Sequence, residues 1–520
     1  MPSSTEPATP EVHLEVETKL EVDTGQPLPD PLQHNAVRRA GLVSQTRPAV
    51  HQLDATYFDT DHLDLLRAKV TLRRRTGGDD AGWHLKLPAD KADKAGGAGA
   101  RTEVRMPLGR GIRIPDQLAE LVLGTARGRP LKPVARLQNQ RTVIRLLDAD
   151  GNAAVEIADD AVTATRSDSD RIDRWREIEV ELIDGGTAQL EATVQALTDA
   201  GARPAGQASK LARVLPLPAI TPAKGGGSGK SAAAAVLTAL ARYRDKLIAS
   251  ERRLRQGADG AAHDVRADAR RIRSVLRAFE GLFADEPTRA LRDHLRELSG
   301  ILGAASDVEM VTSRIAARLA DEPETRGRAA EELIHLELGR RSTTAMAELQ
   351  RHLNSAEHLQ LLRDLDSFLV DPPLTGRASK AAATELPVQL GRSWRRLRAK
   401  ADAALGDPTD SPALHDVRRA AKTMRYAAES TIAVLGEQAV PFAAALQEVQ
   451  EVLGEFRDAH ITARLLSELA DQESTDGASG FVFGRLNAAE NSAAVGVIDD
   501  FADAWDRVED ADLATALAQD

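Results

Sequence analysis

Two charged patterns in this chain have the composition and spacing to do chemistry. The first alternates along short segments. Glu15, Glu17 and Lys19 share one side of a period-two run, with Leu14, Val16 and Leu20 on the other, and Glu177, Glu179 and Glu181 repeat the pattern far downstream. Between them lie Arg73 with Arg75, His84 with Lys86, Arg101 with Glu103 and Arg105, and Arg141 with Arg145. The plain alternative is a sheet with its polar side in water. The segregation of signs argues against it, because clustered carboxylates repel unless a cation lies among them. Oxygen-only donors suit Mg2+ or Mn2+. Arginines and lysines on facing strands match phosphate oxygens. Together these groups read as a metal–polyphosphate site enclosed by a barrel whose polar face turns inward.

The second pattern is helical and occurs twice. His263, Arg266, Arg270, Arg273 and Arg277 are spaced three, four, three and four, which stacks them on one helix stripe. Val265, Ala269, Ile272, Leu276 and Phe279 form an apolar stripe roughly opposite. His415, Arg418, Lys422 and Arg425 repeat the design against Val417, Ala421 and Met424. A solvated face normally mixes signs, because like charges at i and i+4 cost a few tenths of a kcal/mol per pair. Keeping that cost in two places points to an anionic ligand. Metal binding by these histidines is not expected, since no second ligand stands at i+4. Nucleic acid is not expected either. Single strands are held by stacking on aromatics, and Tyr426 is the exception on helices otherwise almost without them. A base-free phosphate chain fits better; duplex DNA is left open by this argument.

These patterns need elements to position them. Period-two runs over 13–22, 70–75, 83–87, 101–106, 141–146, 154–158 and 175–182 predict strands, with helices near 116–123 and 187–200. From Ala232 onward the apolar period is three to four, which predicts helices. The stretch between, 216–231, is rich in Pro and Gly and reads as a linker. It ends in Gly229-Lys230-Ser231, a decoy for a phosphate-binding loop: Lys224 stands where that motif needs its first glycine. Each cationic helix is followed by a Leu-Gly-x-x-x-Asp string, at Leu302–Asp307 and Leu453–Asp458, so the helical half is an internal repeat. The expected organisation is a strand-rich domain at 11–215, a linker at 216–231 and a doubled helical domain at 232–515.

Composition narrows the classes. The chain has 520 residues and a formal net charge of -11, so no overall cationic field for nucleic acid is expected. Cysteine is absent, which excludes disulfides, thiolate metal sites and cysteine nucleophiles. The most apolar run, near 231–241, is too short to span a membrane. The opening residues lack the regions of a signal peptide. The expectation is a soluble cytoplasmic protein, with polyphosphate granules as a place of association.

Taken in order, the strand-half residues resemble the CYTH family. The resemblance rests on Glu15-x-Glu17-x-Lys19, Tyr57-Phe58-Asp59-Thr60, Leu72–Arg75, Leu85–Pro88, Arg101-x-Glu103, Arg141, Glu156-x-x-Asp159, the Glu177/Glu179/Glu181 strand and Ser209-Lys210. The helical half resembles the CHAD domain through its two His-Asp-Val-Arg helices. The first resemblance implies an eight-stranded antiparallel barrel, a triphosphate tunnel, with flanking helices. Members hydrolyse inorganic or thiamine triphosphate or cyclise ATP. It implies Lys19, Arg73, Arg75 and Lys86 as catalytic cations and Arg101, Arg141 and Lys210 as further phosphate clamps. It implies divalent-metal ligands among Glu15, Glu17, Asp159, Glu177, Glu179 and Glu181, with the choice among the late glutamates open. The second implies an all-α domain of two repeated four-helix bundles. Its polyphosphate-binding surface would include His263, Arg266, Arg270, Arg273, His415, Arg418, Lys422 and Arg425. Ser306 stands where the second repeat has Arg457, leaving that arm one arginine short.

The expected function is therefore Mg2+- or Mn2+-dependent hydrolysis of inorganic triphosphate in the barrel, with inorganic polyphosphate bound by the helices. The alternatives are a non-catalytic polyphosphate-binding protein, or thiamine triphosphatase or adenylate cyclase activity. Sparse aromatics disfavour the last two. Oligomeric state is left open.

Overall fold

The computed structural model describes residues 9–89, 100–109, 111–169, 171–207, 209–215, 217, 230–320, 324–407, 411–472 and 477–511. Most of the expected linker, and 512–515 of the expected helical span, lie outside the described residues. The chain divides into two compact units, 1–219 and 220–520.

The first unit is built on ten strands: β1 (Glu11–Glu21), β2 (Ser44–Gln45), β3 (Ala49–Asp59), β4 (Thr71–Thr76), β5 (Gly82–Pro88), β6 (Ala100–Pro107), β7 (Lys132–Leu147), β8 (Ala153–Arg166), β9 (Ile172–Leu182) and β10 (Arg203–Pro204). Eight of them run in the order β1-β6-β5-β4-β3-β7-β8-β9, and β9 pairs back to β1, closing an antiparallel barrel. The two-residue strands β2 and β10 add to β7 and β1. Closure leaves no unpaired edge in the eight-stranded ring.

The barrel is apolar outside and charged inside, because its helices cover the outer face. The helices are α1 (Asn35–Arg39), α2 (Asp64–Arg67), α3 (Asp116–Val122), α4 (Thr187–Asp199) and α5 (Lys210–Val214). Val16, Leu20, Ile157, Ile178 and Val180 pack outward with Val37 of α1 and Leu190 and Leu197 of α4. Leu72, Trp83, Leu85 and Val104 pack outward with Leu65 of α2 and Leu118 and Val122 of α3. Alternation then forces the intervening residues inward. Inside, Ala55, Tyr57, Leu137, Val162 and Trp175 form an apolar cluster with Leu211 and Val214 of α5.

β3 has no counterpart in the alternation of the sequence. Both of its faces mix apolar and polar side chains, with Leu53, Ala55 and Tyr57 against Thr56 and Phe58, so no period-two contrast marks it.

The second unit is helical: α6 (Ala232–Arg255), α7 (Ala261–Ala278), α8 (Asp285–Leu319), α9 (Glu324–Leu353), α10 (Ala356–Val370), α11 (Ala382–Gly406), α12 (Ser411–Leu435), α13 (Ala439–Ala470) and α14 (Gly477–Glu509). Ser231 caps α6 by accepting from the Ala234 amide. The repeat appears as α6–α9 and α11–α14, with α10 between. The two sets share their cores. Leu240, Val265, Ile272 and Leu298 of the first set join Leu397, Val417, Met424 and Val449 of the second in one cluster. A smaller cluster again draws on both, with Val311, Ile334, Leu465 and Phe483. The apolar stripe of α7 is buried throughout, as is that of α12. No helix among the described residues is long and apolar enough to cross a membrane.

Candidate functional site

Strand register brings the charged alternations to one face. Glu17, Lys19 and Glu21 of β1 lie opposite Glu181, Glu179 and Glu177 of β9. Glu15 lies opposite Arg101, Lys86 opposite Glu103, Arg73 opposite both Tyr57 and His84, and Arg141 opposite Asp160. Residues directly paired across antiparallel strands share a face, and here it is the interior. Side chains from strands that are not neighbours meet across it: Lys86 of β5 is 2.5 Å from Glu15 of β1, and Arg141 of β7 donates to Glu179 of β9 at 2.5 Å.

Two ion-pair groups fill this interior. Lys210, the first residue of α5 and only 5% exposed, stands 2.9 Å from Asp160 and 2.7 Å from both Glu177 and Glu179. Arg141 donates to both oxygens of Asp160, at 2.8 and 2.7 Å. Lys19 donates to Glu17 at 3.1 Å and also to Glu179. Against the cost of burial, Lys19, Lys210 and Arg141 hold Glu179 well below the carboxylate range. The second group surrounds Glu103, which is fully buried. His84 Nδ1 lies 3.0 Å from it, Arg105 donates to it, and Arg73 and Lys86 lie 3.9 and 4.0 Å away. Arg73 also donates to Tyr57 Oη at 3.4 Å. Arg75 pairs with Asp80 of the β4–β5 turn. Burial, then Arg73 and Arg141, push it down to about 9. Arg101 shares the inner face and makes no ion pair among the described residues.

One expected position changes. Asp159 faces outward, where Arg176 holds it through two hydrogen bonds of 2.8 and 2.7 Å, so it is not part of the interior set. Its neighbour Asp160 is the inward aspartate. The alternation read over 154–158 stopped one step short. Carried on from buried Val155 and Ile157, it puts odd positions outside and Asp160 inside. Glu103, His84 and Arg105 lie on strand faces that were legible, yet only the structure shows Glu103 gathering cations from three strands.

Among the described residues, no three histidine, aspartate or glutamate side chains are arranged as a ready metal cage. Glu15, Glu17 and Glu179 are occupied by lysines and arginines. Glu181 differs: it has no hydrogen bond or ion pair among the described residues. Burial first, then Glu15, push its carboxyl up to about 7, with Glu17 and Glu179 adding to the effect against Lys86. An unpaired carboxyl beside other carboxylates, with oxygen donors throughout, fits a hard divalent cation.

In the helical unit, α7 and α12 pack together. The guanidiniums of Arg266 and Arg270 from α7, Arg418 from α12 and Arg457 from α13 all act on Lys422. Asp307 anchors the cluster, accepting from Arg266 at 3.0 Å and from Arg457 at 2.7 Å through each oxygen. The repeated glycines now have a reason. A Cβ on Gly303 would stand 3.0 Å from the Arg266 guanidinium, and one on Gly454 would stand 3.1 Å from that of Arg418. Each glycine lets an arginine lie against the next helix. The Ser306 departure is partly offset, since its hydroxyl accepts from Arg266 at 2.7 Å and Arg457 reaches across from the second repeat to Asp307. Arg457 was absent from the expected set.

Burial and like charges lower Arg270 and Arg418 to about 10 each. Both have a buried Nε without an acceptor; Arg425 lies over the Tyr426 ring, with its Nε 3.5 Å from the Glu429 carboxylate. Arg273 lies beside Arg296, Arg419 and Arg277, extending the cationic surface. His263 and His415 are exposed at its edge. Local desolvation lowers both, with Arg270 next for His263 and Arg419 for His415.

Comparison with known proteins follows these two constellations. The CYTH domain family matches residues 13–214 and the CHAD domain family matches 238–467. Two Mycobacterium tuberculosis proteins, MT2285 and Rv2226, both described as uncharacterized, are each 35% identical over 505 residues, which is 92% of this chain and 93% of theirs. Among solved structures, PptA from Streptomyces chartreusis is 20% identical with a TM-score of 0.46, covering 53% of this chain and 99% of that one. The CHAD domain from the plant Ricinus communis is 23% identical with a TM-score of 0.41, covering 56% and 92%. An inward-charged closed barrel followed by a doubled helical domain is thus a CYTH domain joined to a CHAD domain, and the chain belongs to the proteins that carry these two domain families.

Proposed function

We propose that the barrel hydrolyses inorganic triphosphate with the help of Mg2+ or Mn2+, and that the helical unit binds inorganic polyphosphate. The observation that carries the first part is an enclosed interior in which cations from several strands face a set of carboxylates. Arg73, Arg75, Lys86, Arg141 and Lys210, with Arg101 at the start of β6, would hold phosphate oxygens in place of their present carboxylate partners. Water then attacks a terminal phosphorus in line, and the fixed cations stabilise the charge on the departing oxygen. Lys19, between Glu17 and Glu179, would stabilise charge or orient the water. Glu15, Glu17 and Glu181 would hold the divalent cation, which supplies Lewis-acid neutralisation of phosphate charge. Glu177 and Glu179 would chiefly hold Lys210, Arg141 and Lys19 in place.

The interior aromatics favour an inorganic substrate over a nucleotide or a thiamine ester. Trp175 donates to Glu177 at 2.6 Å and carries the Arg213 guanidinium 5.0 Å from its ring centroid. Tyr57 is packed in the apolar cluster. Neither presents a free face for stacking. The test is phosphate release from triphosphate with and without Mg2+, beside ATP, thiamine triphosphate and long-chain polyphosphate. Metal-dependent release mainly from triphosphate is expected. No release from any of them, with polyphosphate still bound, would leave a binding protein.

The state of Glu181 gives a pH dependence. A carboxyl raised to about 7 keeps its proton below that pH and must lose it to bind a cation. Mg2+ or Mn2+ affinity should therefore rise over about one pH unit either side of that value. Calorimetric titration checks it, with Glu181→Gln flattening the profile. A flat profile in the unmodified protein sinks the assignment.

For the helices, replacing Arg266, Arg270, Arg418 and Lys422 together by alanine should weaken long-chain polyphosphate binding by at least about tenfold, since charge-assisted bonds contribute roughly 1.5–3 kcal/mol each. Triphosphate turnover should be unchanged. Equal affinity by titration calorimetry would show the stripes to be merely solvated.

A further inference from the structure

Arg75 differs from the other paired cations of the barrel interior in where its partner comes from. Lys19, Arg73, Lys86, Arg105, Arg141 and Lys210 all pair with carboxylates carried on strands. Arg75 pairs with Asp80 of the β4–β5 turn, its one ion-pair partner among the described residues. The arginine side chain is nearly sealed, at 4% exposure, whereas that of Asp80 is 40% exposed. This single contact leaves the guanidinium short of acceptors. Its buried Nε has none, and neither has that of Arg73 on the same face of β4. Two neighbouring guanidiniums with unfilled buried donors suit a multiply charged oxyanion.

The turn holds this carboxylate in place by its backbone and leaves the side chain free to move. Gly77 and Gly78 take positive φ, 80° and 74°, and reverse the chain. His84 ties the turn to the barrel wall: its Nε2 lies 3.0 Å from the Asp80 carbonyl oxygen and its Nδ1 3.0 Å from Glu103. Rotation of the half-exposed Asp80 side chain towards water would therefore release Arg75 without shifting β4 or β5. We propose that Asp80 is an internal competitor of the substrate: its carboxylate occupies Arg75 in the empty barrel, a phosphate group displaces it, and the exchange sets how tightly triphosphate is held. The proposal deepens the reading of the barrel as a triphosphate site and rests on it.

The test is calorimetric titration of the full chain with inorganic triphosphate in the absence of divalent metal, so that no turnover intervenes. Asp80→Asn keeps the size of the side chain and removes its charge. It should bind triphosphate about fivefold more tightly, the upper range for a partly exposed ion pair. Arg75→Gln should bind more weakly, and adding Asp80→Asn to it should give no gain, because the contested cation is gone. With Mg2+ present, the KM of Asp80→Asn should fall while kcat is kept. A carboxylate that merely braced the turn would, on removal, weaken binding and lower the unfolding temperature instead. Equal or weaker affinity in Asp80→Asn, or the same gain in the Arg75→Gln background, would overturn the proposal and leave the barrel a triphosphate site. Failure of both the unmodified protein and Asp80→Asn to bind triphosphate would overturn that underlying reading, and the proposal with it.

Discussion

Replacing Lys210 by methionine should destabilise the barrel by about 3–5 kcal/mol, the cost of leaving buried charges without their partner. The ammonium stands within 2.9 Å of Asp160, Glu177 and Glu179, and Asp160 is fully buried. Methionine keeps the volume but strips the charge, leaving Arg141 and Lys19 as the close cations of this group. The loss should grow with pH. With lysine present, Asp160 and Glu179 are held low by cations against burial, and they contribute stability that is lost as pH falls through their folded values. Without it their values rise, and the variant instead loses stability as pH rises. Urea unfolding at pH 5 and pH 8, followed by tryptophan fluorescence, separates the cases, since Trp175 donates to Glu177 beside the site. A deficit under about 1 kcal/mol at pH 8 would mean that water already screens this cluster.

Glu17→Ala should lower metal-dependent phosphate release by about two to three orders of magnitude, comparable to removing one group that stabilises transition-state charge. Against the cost of burial, Lys86 and Lys19 keep Glu17 ionised, with Glu179 opposing. It lies opposite the unpaired Glu181 across β1 and β9. Lys19 keeps Glu179 as a partner when Glu17 is removed. The fold should therefore tolerate this change far better than the loss of Lys210, and the two variants separate chemistry from stability. The measurement is turnover of triphosphate across Mg2+ concentrations, beside a thermal unfolding curve. Turnover retained at saturating Mg2+ would defeat the assignment of Glu17 to the metal.

Much of the barrel is visible in its alternations because the outer face is consistently apolar. Val16 and Leu20, or Leu85 and Leu87, contrast sharply with the charges between them. β3 escapes because its inner face is partly apolar, with Ala55 and Tyr57 clustered with Leu211 and Val214 of α5 where the interior is no longer polar. Asp159 and Asp160 illustrate a second limit. Adjacent aspartates differ by one step of a period of two, so an error of one residue exchanges inside for outside. Arg457 shows a third. It belongs to the second repeat by sequence yet bonds Asp307 of the first, and no spacing within one helix discloses a partner 150 residues away.

The sequence by itself determined which residues are charged, that they alternate on strands or stack on helices, and that the helical half is doubled. These follow from local periodicity, which backbone geometry imposes on each segment separately. Only the tertiary structure decided which charges meet. Barrel closure joins β9 to β1 and places Glu181 beside Glu17, while α5 delivers Lys210 to carboxylates on β8 and β9. The packing of α7, α12 and α13 surrounds Lys422 with arginines. A charged group's state depends on burial and on neighbours within a few ångströms, and those neighbours are set by folding rather than by order along the chain.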